Sequence, residues 1–209
     1  MNTPMSKPFI NFGAVLAWFG VLGQLYLILL NSPDSVVTTL IRFISYFTIL
    51  TNTLVAICFT CLWLNPNSSW GKFFSRPSVL TAITVYIVVV GITYNTVLRF
   101  IWAPTGLQRA VDETLHFIMP GWFLIFWVMC VPKGSLKWND LPAWLIFPFV
   151  YCIYILIRGS ISNEYPYPFM DVAKLGYGTV ALNSFYICLA FLLISVIFIA
   201  IGRRSAAKA

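Results

Sequence analysis

The apolar stretch at 179–202, TVALNSFYICLAFLLISVIFIAIG, decides the fold of this chain. It contains no Asp, Glu, Lys or Arg, and the pair Arg203 and Arg204 follows it directly. An α-helix needs about 20 consecutive apolar residues to cross the hydrocarbon core of a bilayer. The stretch therefore predicts a transmembrane helix that ends in two cations at one membrane surface.

Five further apolar runs precede this one. The six predicted spans cover residues 9–30, 37–64, 78–100, 112–131, 141–158 and 179–202. Hydrophobic residues make up 60% of the 209 positions and charged residues only 9%, against roughly a quarter charged in soluble domains. The residue alternation of a membrane β-barrel is absent. We expect an all-α polytopic membrane protein, in which residues 1–209 form one bundle of six transmembrane helices.

The charged residues divide unequally between the two ends of this bundle. One end carries Lys7, Lys72, Arg76, Lys133, Lys137, Arg203, Arg204 and Lys208 with the single acid Asp140. The other end carries Arg42, Arg99, Arg109, Arg158 and Lys174 balanced by Asp34, Asp112, Glu113, Glu164 and Asp171. The net charge of +7 therefore falls on one end. The positive-inside rule places that end, and both termini, in the cytoplasm of a cell membrane. The basic residues form no patch of the kind that binds nucleic acid.

Polar side chains inside the spans predict a cavity. Thr48 and Asn52 lie on one helix face with Thr51 beside them. At 1.5 Å per residue, Thr48 should lie roughly 16 Å below the outer surface. The outer half of the bundle should also hold Asn95, Arg99, His116, Arg158 and Asn183. Such groups predict a polar cavity that opens outward, although hydroxyls in membrane helices also bond their own backbone and arginines near span ends extend to headgroups.

His116 is the only histidine, which excludes bis-histidine haem and multi-histidine metal sites. The five cysteines lie in apolar stretches and are typical of small buried hydrophobes, so we expect no metal and no cofactor. Asp112 and Glu113 precede His116 by about one helical turn, where a carboxylate can orient the imidazole ring. A base with its orienting group is one half of a hydrolytic site. The G-x-S-x-G and H-E-x-x-H motifs of known hydrolases are absent.

Several short motifs occur together in this chain: YFTILTN at 46–52, Asn95 and Arg99, LHFIMP at 115–120, Arg158-Gly159, and YPYPF at 165–169. In this order and spacing, from about residue 42 to 183, the chain resembles the bacterial six-helix relatives of the androgen-induced gene and androgen-dependent TFPI-regulating proteins. The resemblance implies a multipass threonine hydrolase. The animal members hydrolyse fatty acid esters of hydroxy fatty acids.

The resemblance implies Thr48 as the nucleophile and His116 as the base, with Thr51 as the alternative nucleophile. An acyl-threonine intermediate would form on a lipid or fatty-acyl ester and then be hydrolysed by water. Asn52 or Asn95 would donate to the oxyanion, and Asp112 would support His116. Arg99 or Arg158 would hold a fatty carboxylate.

The proline-rich segment 165–169 should be extended, because alternating prolines exclude a helix. Tyr165 and Tyr167 would then lie over the outer mouth of the cavity, either as a lid or as an ordinary interfacial loop. Asn183 would line the site from the last span.

A second class of function uses the same cavity. A transporter or a binding protein for a small anionic or lipid ligand would also need an outward opening with Arg99, Arg158 and His116. The apolar inner half of the spans and the absence of an inverted repeat argue against transport. The oligomeric state is left open by the sequence.

Overall fold

The computed structural model describes residues 6–206, and this part of the chain contains helices but no strands. The long helices are α1 (Ser6–Asn31), α3 (Phe47–Leu64), α5 (Pro77–Thr96), α7 (Met119–Cys130), α8 (Leu141–Ser162) and α9 (Val172–Ala206). Shorter helices are α2 (Val36–Ile44), α4 (Ser69–Phe74) and α6 (Gly106–Glu113). A π-helical turn (Thr114–Ile118) joins α6 to α7.

Six helical stretches are long and apolar enough to cross a membrane. They are Lys7–Asn31, Phe47–Leu64, Pro77–Phe100, Gly106–Cys130, Trp138–Ser162 and Val172–Arg204. A helix satisfies its backbone hydrogen bonds internally, which is necessary in hydrocarbon because hydrocarbon offers no hydrogen-bonding groups. The predicted all-α class with six spans is therefore confirmed.

The predicted second span, 37–64, is wrong at its start, because it consists of two helices. Ser45 ends α2, and its hydroxyl donates to the Ile41 carbonyl over 2.6 Å. The freed Ser45 carbonyl accepts from the Tyr151 hydroxyl over 2.8 Å. Hydropathy could not show this break, since α2 is itself largely apolar. Thr48 is consequently the second residue of the spanning helix α3, at its N-terminal end, rather than deep within one continuous span.

The last predicted span, 179–202, lies within α9, whose helical backbone is interrupted at Gly176. Gly176 has a φ of 75°, a left-handed conformation that glycine adopts without a steric penalty.

The two groups of charged residues lie at opposite ends of the bundle. At one end Arg42 contacts Asp34 and Glu164, and Glu164 also contacts Arg158. At the other end Gly202, beside the two C-terminal arginines, packs against Leu136 and the Lys133 carbonyl. This grouping agrees with the charge count, although Lys208 lies outside the described residues.

Close packing of α5 against α7 determines the geometry of the site. A Cβ on Gly91 would lie 2.9 Å from Pro120 Cβ and 3.3 Å from the His116 carbonyl oxygen. Only a glycine leaves room for this approach. The contact brings the end of α5, with Tyr94 and Asn95, against the turn that carries His116.

Candidate functional site

His116 lies in the middle of the π-helical turn Thr114–Ile118. Single π-helical turns are rare and often occur at functional sites. Met119 donates its N–H to the Thr114 carbonyl five residues earlier, which defines the wider turn. Pro120 has no N–H and therefore donates no helical hydrogen bond. The carbonyls that such a bond could reach are those of His116, four residues earlier, and Leu115, five residues earlier.

Two asparagine amides replace the missing donor. Asn52 Nδ2 donates to the Leu115 carbonyl over 3.2 Å and to the Thr48 carbonyl over 2.9 Å. Asn95 Nδ2 donates to the His116 carbonyl over 3.1 Å and to the Gly91 carbonyl over 2.8 Å. Each amide nitrogen thus uses both of its hydrogens. The geometry supports a structural role for these asparagines and leaves neither with a proton to donate to an oxyanion.

The imidazole of His116 is held on one edge and on one face. Its Nδ1 lies 2.9 Å from the Asp112 carbonyl oxygen and 3.3 Å from Asp112 Oδ1. The Tyr94 ring stacks on the imidazole at 4.0 Å with an interplanar angle of 16°. The Tyr94 hydroxyl donates to the second oxygen of the Asp112 carboxylate. With Nδ1 directed at Asp112, Nε2 is the nitrogen left to exchange a proton with another group.

Thr48 lies at the N-terminus of α3, where the helix has no side-chain cap. Its N–H donates to the Tyr167 hydroxyl over 3.3 Å, and its Oγ1 lies 3.4 Å from the same hydroxyl. The N–H of Phe47 donates to the Tyr151 hydroxyl over 3.2 Å. The first N–H groups of a helix carry partial positive charge. The Thr48 hydroxyl therefore lies beside donors that favour a developing negative charge.

Two cavities meet at Thr48 and His116. The larger has a volume of about 570 Å³ and includes polar side chains such as Gln24, Arg42 and Gln108. The smaller has a volume of about 80 Å³ and is almost entirely apolar. Both are lined by Thr48, Tyr94, Leu98, His116 and Tyr167. If the reacting bond of a substrate lay at this shared wall, one part of the substrate would occupy the larger, polar cavity and the other part the smaller, apolar cavity.

Thr51 lies outside this arrangement. It is fully buried, lines neither cavity, and its hydroxyl has no hydrogen-bond partner among the described residues. The geometry thus favours Thr48 over Thr51 as the group that meets a ligand.

The other predicted binding residues are engaged elsewhere. Arg99 pairs with Glu113, and Arg158 pairs with Glu164 over 3.1 Å. Asn183 Nδ2 donates to the Phe169 carbonyl over 2.8 Å and so anchors the proline-rich segment. The Tyr165 ring lies directly against Gly159, where any Cβ would overlap it. Of this group only Tyr167 lines the cavities.

Three residues of the site were missed at the sequence level: Tyr94, Tyr151 and Arg42. Tyr94 adjoins Asn95, and its position on the same helix turn was the available signal. Tyr151 lies within the apolar fifth span, where nothing in its spacing indicates a partner. Arg42 was counted only as an outer charge, since nothing in its spacing distinguishes it from Arg99 or Arg158.

Arg42 is the only cationic side chain that lines either cavity in the described part of the chain. Its guanidinium lies 2.8 Å from Asp34 and 2.9 Å from Glu164. The hydrogen bond to Glu164 raises the pKa of Arg42, against the opposing effect of its burial. In return, the hydrogen bond from Arg42, helped by Arg158, lowers the pKa of Glu164. The cation is thus held in place at the rim of the larger cavity.

Within residues 6–206, no group of three His, Cys, Asp or Glu side chains is placed to bind a metal ion. Comparison of the chain with protein-family models, with curated proteins and with solved structures finds no match.

Proposed function

We propose that this protein hydrolyses lipid esters inside the membrane, with Thr48 as nucleophile and His116 as base. One observation carries the proposal: Thr48 and His116 line the same two cavities, and Asp112 holds Nδ1 of the histidine so that Nε2 is available. A nucleophile, a base and an orienting group are the three parts that such a site requires.

The reaction then follows the usual course of acyl transfer. His116 Nε2 takes the proton of the Thr48 hydroxyl as Oγ1 attacks the ester carbonyl carbon. The tetrahedral intermediate collapses, His116 returns the proton to the departing alkoxide, and the alcohol leaves. Water gives a proton to Nε2, attacks the acyl-threonine, and releases the carboxylic acid with Thr48 restored.

The donor nearest to the developing oxyanion is the Tyr167 hydroxyl, to which the Thr48 N–H itself donates. Burial raises the pKa of the Tyr167 phenol, so its hydroxyl keeps the proton that it would donate. Asn52 and Asn95 support the histidine turn instead. Preorganised donors of this kind lower barriers because they need no reorientation during the reaction.

The proposed substrate is a fatty-acyl or other lipid ester that enters from the surrounding membrane lipids. Arg42, rather than Arg99 or Arg158, is the cation that lines the larger cavity, and an acidic group of such a substrate would replace Asp34 or Glu164 as its partner. We further propose that the basic end of the bundle, with both termini, lies in the cytoplasm of a cell membrane, following the positive-inside rule.

Labelling with a fluorophosphonate tests the proposed function. Purified protein in detergent should label, and Thr48→Val and His116→Ala should abolish the labelling. Thr51→Val is the matched control, since it removes an equivalent hydroxyl outside the cavities, and it should label normally. Absence of labelling in folded wild-type protein would favour the binding or transport alternative. Loss of labelling in Thr51→Val alone would identify Thr51 as the nucleophile.

A further inference from the structure

Part of the lining of the smaller cavity forms a wall that separates it from a neighbouring space. This wall consists of Pro148 from α8 together with Cys188 and Phe191 from α9. Behind it lies an apolar crevice of about 420 Å³ between α8 and α9, which these same three residues also line. Three spaces therefore follow one another in a row: the polar cavity, the small apolar cavity and the crevice.

Phe191 is the principal part of this wall. Its side chain is 4% exposed, and its ring meets the Phe47 ring edge-on at 5.6 Å. Phe47 directly precedes Thr48, so Phe191 packs against the residue next to the nucleophile. The ring also packs against Tyr86 at 6.3 Å. These contacts hold the ring between the small cavity and the crevice.

The direction in which an ester binds follows from the order of the reaction. The alcohol leaves first, and water must then reach the carbonyl of the acyl-threonine. Water and a departing alcohol require a polar, open route, which the larger cavity provides with Gln24, Arg42 and Gln108. The acyl group must stay attached to Thr48 meanwhile, and the small apolar cavity is the space that remains for it.

Resting on the proposed function, we infer that the small cavity is the acyl site and that Phe191 limits the length of the acyl chain. The cavity volume of about 80 Å³ is about half that of an engineered cavity that binds benzene, which leaves room for about three carbons beyond the carbonyl. Within the proposed class of lipid esters, the protein thus favours those whose acyl group is short over fatty-acyl esters. Removal of the Phe191 ring joins the cavity to the crevice and admits longer chains.

The test compares p-nitrophenyl butyrate with p-nitrophenyl octanoate in one detergent. The quantity of interest is the ratio of kcat/KM for octanoate to that for butyrate, because the partition of each ester into micelles cancels between variants. Phe191→Ala should raise this ratio at least tenfold, as expected when several methylenes gain a cavity. Phe185→Ala is the matched control, since Phe185 lies on the same helix and lines the crevice but not the small cavity. It should leave the ratio unchanged.

Phe191→Leu is a second variant that keeps the test valid if Phe191→Ala does not fold. It should shift the ratio in the same direction by a smaller factor. Hydrolysis by wild type with no shift in either Phe191 variant would overturn the chain-length inference and leave the proposed function standing. An equal shift in Phe185→Ala would also overturn it. Folded wild-type protein that neither hydrolyses an ester nor labels with fluorophosphonate would overturn both.

Discussion

At the scale of single residues, Pro120 and Asn52 form one functional unit. Pro120 removes a backbone donor from the turn that carries His116, and Asn52 supplies a side-chain donor to the Leu115 carbonyl from another helix. Hydrogen bonds of this kind between membrane helices contribute about 0.5–2 kcal/mol. The orientation of the imidazole therefore depends on a backbone donor that is missing from one helix and on the side chain of another helix that replaces it.

Asn52→Leu should lower the free energy of unfolding by about 1 kcal/mol, because the Leu115 carbonyl loses its donor inside a dry bundle. In a Pro120→Ala background the loss should be smaller, since the new N–H can serve this carbonyl. A double-mutant cycle measured by denaturation in detergent gives the coupling. Asn31→Leu serves as control, because the Asn31 amide is exposed and bonds only its own helix. Additive losses at residues 52 and 120 would contradict this account.

At the scale of elements, the proline-rich segment is held over the site by charge. Glu164, just before the segment, bonds Arg42 near the end of α2 and Arg158 in α8. Tyr167, within the segment, reaches Thr48. Through these ion pairs, a shift of α2 would also shift the segment that places the Tyr167 hydroxyl beside Thr48.

Glu164→Gln should loosen this segment at neutral pH. Because Arg42 lowers the pKa of folded Glu164, the carboxylate stabilises the fold above its unfolded pKa of about 4.3. The contribution disappears as pH falls through the lower folded value. Since the side chain is 43% exposed, the effect is less than about 1 kcal/mol.

Hydrogen exchange within residues 165–170 is the measurement for this prediction. Exchange should be faster in Glu164→Gln than in wild type at pH 7, and the difference should vanish on acidification below the folded pKa. Glu113→Gln is the control, since it breaks an ion pair at the same end that does not hold this segment. A difference that persists in acid would contradict the proposed role of charge.

At the scale of the whole molecule, six apolar helices place the site near the end of the bundle that has balanced charge. The loops that carry Asp34 and Glu164 meet there through Arg42, and the excess of basic residues lies at the other end. A substrate would approach from the balanced end or from the lipid beside it.

The proposed orientation predicts which loops a membrane-impermeant thiol reagent reaches in intact cells. In a cysteine-free background, Asn163→Cys should react and Asn67→Cys should react only after the cells are lysed. Both positions are exposed and lie in connections at opposite ends of the bundle. The reverse pattern would invert the topology and place the site at the cytoplasmic face.

The number of spans and their helical nature could be predicted from the sequence, because hydropathy adds over windows of about 20 residues and hydrocarbon permits only helices or closed barrels. The pairing of His116 with Asp112 was also predictable, since residues four apart are neighbours on any helix. The break at Ser45 was not, because it depends on a hydrogen bond from Tyr151, far along the chain.

The tertiary structure alone distinguished the candidates within the site. Thr48 and Thr51 are three residues apart on one helix, and only the packing of α3 shows that one of them lines the cavities. Arg42, Arg99 and Arg158 have the same charge and all pair with carboxylates, yet only Arg42 lines the larger cavity. Spacing determines which residues share a face, whereas the neighbour that each face meets depends on contacts between distant parts of the chain.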